Sequence, residues 1–170
     1  MNERAFIAAI VADPDDDAPR LIYSDWLDEQ GQSERAEFIR VQCTLWQAQD
    51  LPEDLVDTAK EEEFRSREQQ FLDGGLSSAL GAENLRKYKP VWRRGFVHAI
   101  TLSAADWLQH ADAILAAQPV QEVTLTTWPM INQIGGIPRF GYDFQSNARY
   151  LLSLRWPQIK EDKWHLPPGR

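Results

Sequence analysis

Apolar residues recur at helical spacing through the first half of the chain and at strand spacing after Pro90. Phe6, Ile7, Ile10 and Val11 form one stripe over residues 3–12, with Asn2 placed to cap that helix. Asp13-Pro14 ends it, because the residue before a proline is pushed out of the α region. Four aspartates follow one another closely, at 13, 15, 16 and 17. Asp17 is placed to N-cap a second helix, with Pro19 in the first turn, where its missing N–H costs nothing. Leu21, Ile22, Trp26 and Leu27 give that helix an apolar face, and Gly31 sits where a left-handed C-terminal cap belongs. A third helix, from Ser33 or Glu34 to about Gln49, carries two adjacent ridges, Phe38–Gln42–Leu45 and Ile39–Cys43–Trp46. Short turns imply antiparallel neighbours around one core. Trp26 and Trp46 are expected to carry much of that core. Asp25 and Arg40 flank core positions on helices expected to pack together. A partly buried carboxylate–guanidinium pair that sets helix register is the expectation for them.

Leu51-Pro52 breaks the pattern. A long charged helix is expected from Glu53 or Asp54 to Leu72, with Glu61/Arg65 and Glu63/Arg67 paired four residues apart. Gly74-Gly75 ends it, and Ser78 to about Tyr88 reads as a further short helix. After Pro90, GFVHAITLS alternates as a strand, with Phe96, His98, Ile100 and Leu102 on one side. Ser103 and Asp106 cap a helix with the stripe Trp107, Leu108, Ala111, Ile114 and Leu115. VQEVTLTTW then alternates again. Strand, helix and strand at this length form a right-handed βαβ unit with parallel strands. From Pro129 onward the chain is rich in glycine, proline and aromatics. A helix over residues 146–154 and a last strand around residues 163–166 are expected there.

The fold expectation is therefore α+β. An N-terminal antiparallel helical bundle, residues 1–90, is followed by a small βαβ unit with an aromatic-rich capping tail, residues 91–170. One turn of such a unit cannot bury its own faces, so it is expected to pack on the helices or on the tail.

Charge is divided unevenly along this plan. Residues 1–90 hold 20 Asp and Glu against 10 Lys and Arg; residues 91–170 hold 6 against 8. The net charge of −8 argues against nucleic acid as the main partner, since neutralising phosphates needs clustered Lys and Arg. Trp92-Arg93-Arg94-Gly95-Phe96 is the one basic–aromatic cluster, and two arginines are few against the surrounding acidity. Cys43 stands alone, so no internal disulfide forms, and a reducing, cytoplasmic setting fits. It reads as a small buried hydrophobe. No run approaches the 18 or so apolar residues of a membrane span, and no signal peptide is evident.

Candidate chemistry is sparse. Counting Asp13 as the first position of a calcium loop puts Ala18 and Ser24 where glycine and glutamate belong, so the loop fails. Asp25, Asp28 and Glu29 share a helix face, but no nucleophile or second charged group is tied to them. His98, His110 and His165 have no ligand spacing. There is no phosphate-cradling glycine loop, nucleophile elbow or dinucleotide fingerprint. No metal, cofactor or catalytic residue is implied. Trp128, Phe140 and Tyr142 form the candidate groove for a peptide or another chain.

The stretch ADPDDDAPRLIYSDWLDEQG, followed by RAEFIRVQ, resembles the N-terminal repeat-companion domain abundant in planctomycete bacteria. The residues that carry the likeness are Leu21, Tyr23, Asp25, Trp26, Leu27, Gly31, Glu37, Phe38, Ile39, Arg40 and Gln42; Trp46 extends the same helix. The dense part covers about the first 45 residues, and WRRGFVHAITLSAADWLQHADAILAAQPVQEVTL resembles the segment that often follows. The resemblance implies a helical module set beside leucine-rich-repeat-like segments, with no known catalytic residues. The function this suggests is a non-enzymatic interaction or scaffold module with a protein partner. The alternatives are an acidic inhibitor or immunity-type protein that neutralises a basic partner, and a metal-dependent hydrolase using the acidic turn.

Overall fold

The computed structural model describes residues 2–49, 51–52, 57–74, 83–130, 134–135 and 143–168. It is an α+β protein with six α-helices and one four-stranded sheet among those residues. The helices are α1 (Glu3–Ala12), α2 (Ala18–Glu29), α3 (Ser33–Ala48), α4 (Thr58–Asp73), α5 (Ala104–Ala117) and α6 (Phe144–Arg155). The strands are β1 (Val91–Arg93), β2 (Phe96–Leu102), β3 (Glu122–Leu125) and β4 (Trp164–His165), in the order β1-β2-β3-β4. The chain divides into two compact units, one of residues 1–87 with 92–96, the other of residues 88–91 with 97–170.

In the first unit α1 packs on α2, α2 on α3, and α3 on α4. Asn2 Oδ1 accepts the Ala5 N–H at 3.1 Å and starts α1. The start of α2 differs from expectation. Asp17 occupies the cap position with helical backbone angles and its side chain makes no capping bond. Asp16 Oδ1 accepts the Ala18 N–H instead, at 2.9 Å, which leaves the Asp17 carboxylate for other partners. At the far end, Gly31 N–H bonds to Asp28 C=O at 3.0 Å and Gln32 N–H to Leu27 C=O at 2.9 Å. With Gly31 at φ +75° this is the Schellman motif that its position predicts.

The buried face of α2 is also not the expected one. Arg20, Tyr23, Ser24 and Leu27 are buried, whereas Leu21 and Ile22 are exposed and Trp26 is half-buried. The helix is rotated so that Tyr23, rather than Trp26, sits at the centre. The core joins Phe6, Ile7, Ile10, Tyr23, Leu27, Ala36, Ile39, Cys43 and Phe96, with Trp26 at its margin. Trp46 is likewise half-buried. The large fully enclosed side chains of this unit include Tyr23, Phe38, Phe96, Ile10, Leu27 and Ile39, so the two tryptophans are not the main mass of the core. On α3 both predicted ridges are otherwise buried.

Helix α4 starts at Thr58, where Asp57 Oδ1 accepts the Lys60 N–H at 3.2 Å. That is later than the sequence suggests; Glu53 and Asp54 lie outside the described residues. The Glu61–Arg65 pair forms, with Nε to Oε1 at 2.9 Å. The Glu63–Arg67 pair is replaced. Arg67 reaches across to Glu37 on α3 and grips both its oxygens, at 2.7 and 2.8 Å. A two-pronged bond between helices holds the planar guanidinium better than one partner on its own helix. Residues 83–88 form a 3-10 helix; the earlier part of the helix expected from Ser78 is outside the described residues.

In the second unit β2 and β3 run parallel, with Ile100 opposite Val123 and Leu102 opposite Leu125. β3 and β4 are also parallel, with Val123 opposite Trp164. Helix α5 is capped as expected: Ser103 Oγ accepts the Asp106 N–H at 3.0 Å and donates to Asp106 Oδ2 at 2.6 Å. Asp143 caps α6 in the same way through the Ser146 N–H at 2.8 Å. The core centres on Trp107, Trp156 and Trp164, whose rings lie 5.4 to 5.9 Å apart and pack edge-on or tilted. All three are buried, so they fill space against one another and leave no open cage.

Candidate functional site

The acidic turn is where the first unit concentrates its polar contacts. β1 and β2 are joined by Arg94 and Gly95, at φ +52° and +83°. Two successive positive φ values are the pattern of a type I′ hairpin turn, which glycine enters freely and arginine does not. Arg94 is buried, and its Nη1 donates to Asp15 C=O at 2.7 Å and to Pro14 C=O at 3.3 Å. Its Nε lies 3.4 Å from Asp17 Oδ1, and its guanidinium carbon lies 4.7 Å from the centre of the Trp46 ring. Arg93 takes the same ring at 3.9 Å.

The turn itself is held from two further directions. Arg20 is buried and donates to Asp16 C=O at 2.7 Å. Burial pulls its pKa below the ordinary arginine value. Gln47 donates to Asp17 Oδ2 at 2.9 Å. Gly95 completes the arrangement. Its N–H donates to Gln42 Oε1 at 2.6 Å, and a Cβ there would lie 2.4 Å from Ile39 Cγ1 and 2.7 Å from Ile39 Cα. Cys43, close by in the core, has its thiol pKa pushed up to about 12 by burial and is unreactive.

The remaining candidate residues fall as follows. Arg40 Nη2 meets Asp25 Oδ1 at 2.8 Å and its Nη1 meets Asp28 Oδ2 at 2.6 Å. The expected pair is therefore present, but as a solvent-facing triad: Asp25 is 74% exposed and Arg40 39%. Such a pair is worth at most about 1 kcal/mol, so the register of α2 on α3 rests on the apolar core. Asp28, bonded to Arg40, has its pKa lowered. Tyr23 donates to Glu3 at 2.6 Å and Arg35 Nη1 reaches the same oxygen at 2.9 Å. The Tyr23 bond, with Arg35 behind it, lowers the Glu3 pKa against its burial; burial in turn raises that of Tyr23. Phe38 meets Phe71 and Trp92 edge-on, at 5.8 and 5.7 Å.

A groove of about 570 Å³ between α3 and α4 has Val41 and Phe64 in its wall, with Arg40 and Arg67. Both arginines are already engaged by carboxylates. In the second unit Trp128 lies 5.2 Å from Phe144, which is exposed, as is Met130. Phe140 and Tyr142 lie outside the described residues. Glu122 contacts His165 and stands 3.9 Å from His98 Nε2, a juxtaposition that sequence spacing hid. Among the described residues no group of three His, Cys, Asp or Glu side chains could hold a metal ion, and no helix is long and apolar enough to cross a membrane.

Sequence reasoning did not foresee that three arginines are buried. Arg20, Arg35 and Arg94 are all buried. The only signal was indirect: an acidic turn at one end of the unit and an arginine pair before a glycine eighty residues on. Comparison with known protein families, with characterised proteins and with solved structures finds no match to this chain.

Proposed function

We propose that the chain is a non-enzymatic protein-interaction module, in which a helical repeat-companion domain precedes a small leucine-rich-repeat-like βαβ unit. One observation carries the reading. On α2 the buried face holds Arg20 and Ser24 beside Tyr23 and Leu27, while Leu21 and Ile22 stand 37% and 57% exposed beside the half-buried Trp26. Ile22 and Trp26 are four residues apart and share a face. A helix that leaves apolar residues on solvent while polar ones share its buried face presents a surface for another protein. The resemblance stated above, which is densest on this helix, and the parallel β2–α5–β3 unit support the same reading. The lone, buried Cys43 is in keeping with work in the cytoplasm.

The test is affinity capture from the native host with wild type and Ile22→Asp. The expected result is a stoichiometric partner retained by wild type and lost by the variant, with equal melting temperatures. Recovery of a lone monomer in both cases would end the proposal.

A further inference from the structure

The outward side of α2 carries two ridges. Residues four apart line up along a helix, so Ala18, Ile22 and Trp26 make one ridge and Leu21, Asp25 and Glu29 the next. Ala18, Leu21, Ile22, Asp25 and Glu29 are exposed and Trp26 is half-buried. The first ridge is wholly apolar; the second passes from apolar to acidic towards the helix C-terminus. Trp26 is already held in place, with its ring 5.4 Å from that of Phe6 and stacked on Tyr23 at 5.9 Å. An anchor fixed before binding loses little freedom on contact, and tryptophan is among the side chains that carry most binding energy at interfaces.

The charge bordering this face has an excess of one sign. Asp25, Asp28 and Glu29 flank it, and Arg40 is shared between Asp25 and Asp28. Glu29 has no ion-pair partner among the described residues. The basic residue within α2 itself, Arg20, is buried. A partner that covers Ile22 and Trp26 brings its own rim against these carboxylates. A neutral rim would strip water from them and an acidic rim would repel them, whereas lysine or arginine compensates. Ridges of this spacing seat in the groove between equivalent ridges of a second helix. From Ala18 to Glu29 the face spans about 17 Å, roughly three helical turns.

We propose that α2 docks a basic amphipathic helix of a partner protein, its apolar residues on Ile22 and Trp26 and its Lys or Arg side chains on Asp25 and Glu29. This rests on the interaction-module reading and adds the chemistry of the partner to it. The 20 Asp and Glu against 10 Lys and Arg over residues 1–90 attract the same partner from a distance.

The probe is a leucine–lysine peptide of about five turns, patterned as an amphipathic helix and titrated calorimetrically into the full chain at about 150 mM salt. One control peptide scrambles the same composition; the other has glutamate for every lysine. The patterned lysine peptide should bind at least about tenfold tighter than either. Two variants separate the halves of the site. Ile22→Asp adds negative charge, so attraction by charge alone would tighten binding, whereas docking on the apolar ridge weakens it about tenfold. Glu29→Lys should weaken binding by about threefold or more and flatten its salt dependence. Both positions are exposed, and unchanged melting temperatures show that the variants are folded. Amide shifts followed by NMR should centre on residues 18–29. Equal binding of the scrambled peptide, undiminished binding to Ile22→Asp, or shifts centred elsewhere overturns the proposal. A host partner that depends on Ile22, combined with failure of the lysine peptide, would leave the interaction module standing and remove the basic helix.

Discussion

Gly95 and Gly31 permit a controlled test of the packing argument. Both hold positive φ, at +83° and +75°. A Cβ on Gly31 would meet nothing within 4 Å, whereas one on Gly95 would lie 2.4, 2.7 and 2.9 Å from three atoms of Ile39. One of those atoms is the backbone Cα of α3, which cannot swing away as a side-chain tip can. Gly31→Ala therefore carries the conformational cost alone, about 1–2 kcal/mol. Gly95→Ala carries the same cost plus overpacking against a fixed helix, about 1–3 kcal/mol more, and strains the 2.6 Å bond from Gly95 N–H to Gln42. The expected losses are about 1–2 kcal/mol for Gly31→Ala and about 2–5 kcal/mol for Gly95→Ala. Urea titrations read by far-ultraviolet circular dichroism, which follows the helices, measure both. Losses equal to within about 0.5 kcal/mol would refute the claim that the hairpin turn is pressed onto α3.

Three further outcomes follow from the same contacts. Tyr23→Ala should cost about 3–5 kcal/mol because the ring is fully enclosed, and Trp26→Ala, at the core margin, about 1–3 kcal/mol; urea melts giving the reverse order would restore Trp26 to the centre. Glu3, Asp28, Glu37 and Asp143 all have lowered pKa values, through Tyr23, Arg40, Arg67 and the Ser146 N–H respectively. The unfolded chain thus binds more protons than the folded one, so stability is full above the ordinary carboxylate range and is lost as pH falls through it. Tyr23 has the opposite sign: its pKa is raised, so its contribution is full below about pH 10 and is lost above. Unfolding free energies measured from pH 3 to 11 should form a plateau with both flanks falling, and Tyr23→Phe should flatten the alkaline flank. Arg67→Lys should lower the urea midpoint, since lysine cannot grip both oxygens of Glu37; an unchanged midpoint would show that the pair is ornamental.

Much of the fold was legible because its signals are local. Asn2, Gly31 and Ser103 do what their positions predict, since a cap depends only on the three or four residues beside it. The parallel run of β2 and β3 follows from two alternating stretches separated by one helix. What could not be read was long-range. Asp17 gives up capping because Gln47 and Arg94, thirty and seventy-seven residues on, compete for its carboxylate. Arg67 leaves Glu63 for Glu37 because the packing of α4 on α3 offers both oxygens at once. The α2 face was misjudged for one reason. Apolar periodicity counts Leu21 and Ile22 as core and has no way to count Arg20, whose stem is buried while its head bonds to a backbone carbonyl.

The burial of Arg20 on the core face of α2 is the feature from which the proposed function descends. A buried guanidinium is costly unless acceptors surround it. The turn between α1 and α2 supplies them as backbone carbonyls at Pro14, Asp15 and Asp16, which no side-chain mutation can remove. The aspartates beside them neutralise two buried cations, so the acidity of this turn is the counterpart of Arg20 and Arg94, more than a helix start or a solvated loop. With arginine on the inside, the apolar residues of α2 face outward, where Leu21 and Ile22 are free to meet a partner. Replacing Arg20 with Met tests the link. If the rotation of α2 is set by the arginine, the variant should turn the helix and quench the exposed apolar face, seen as lost binding of a hydrophobic dye. If dye binding is unchanged, the outward face of α2 is fixed by Tyr23 and Leu27 alone, and the arginine is a passenger on it.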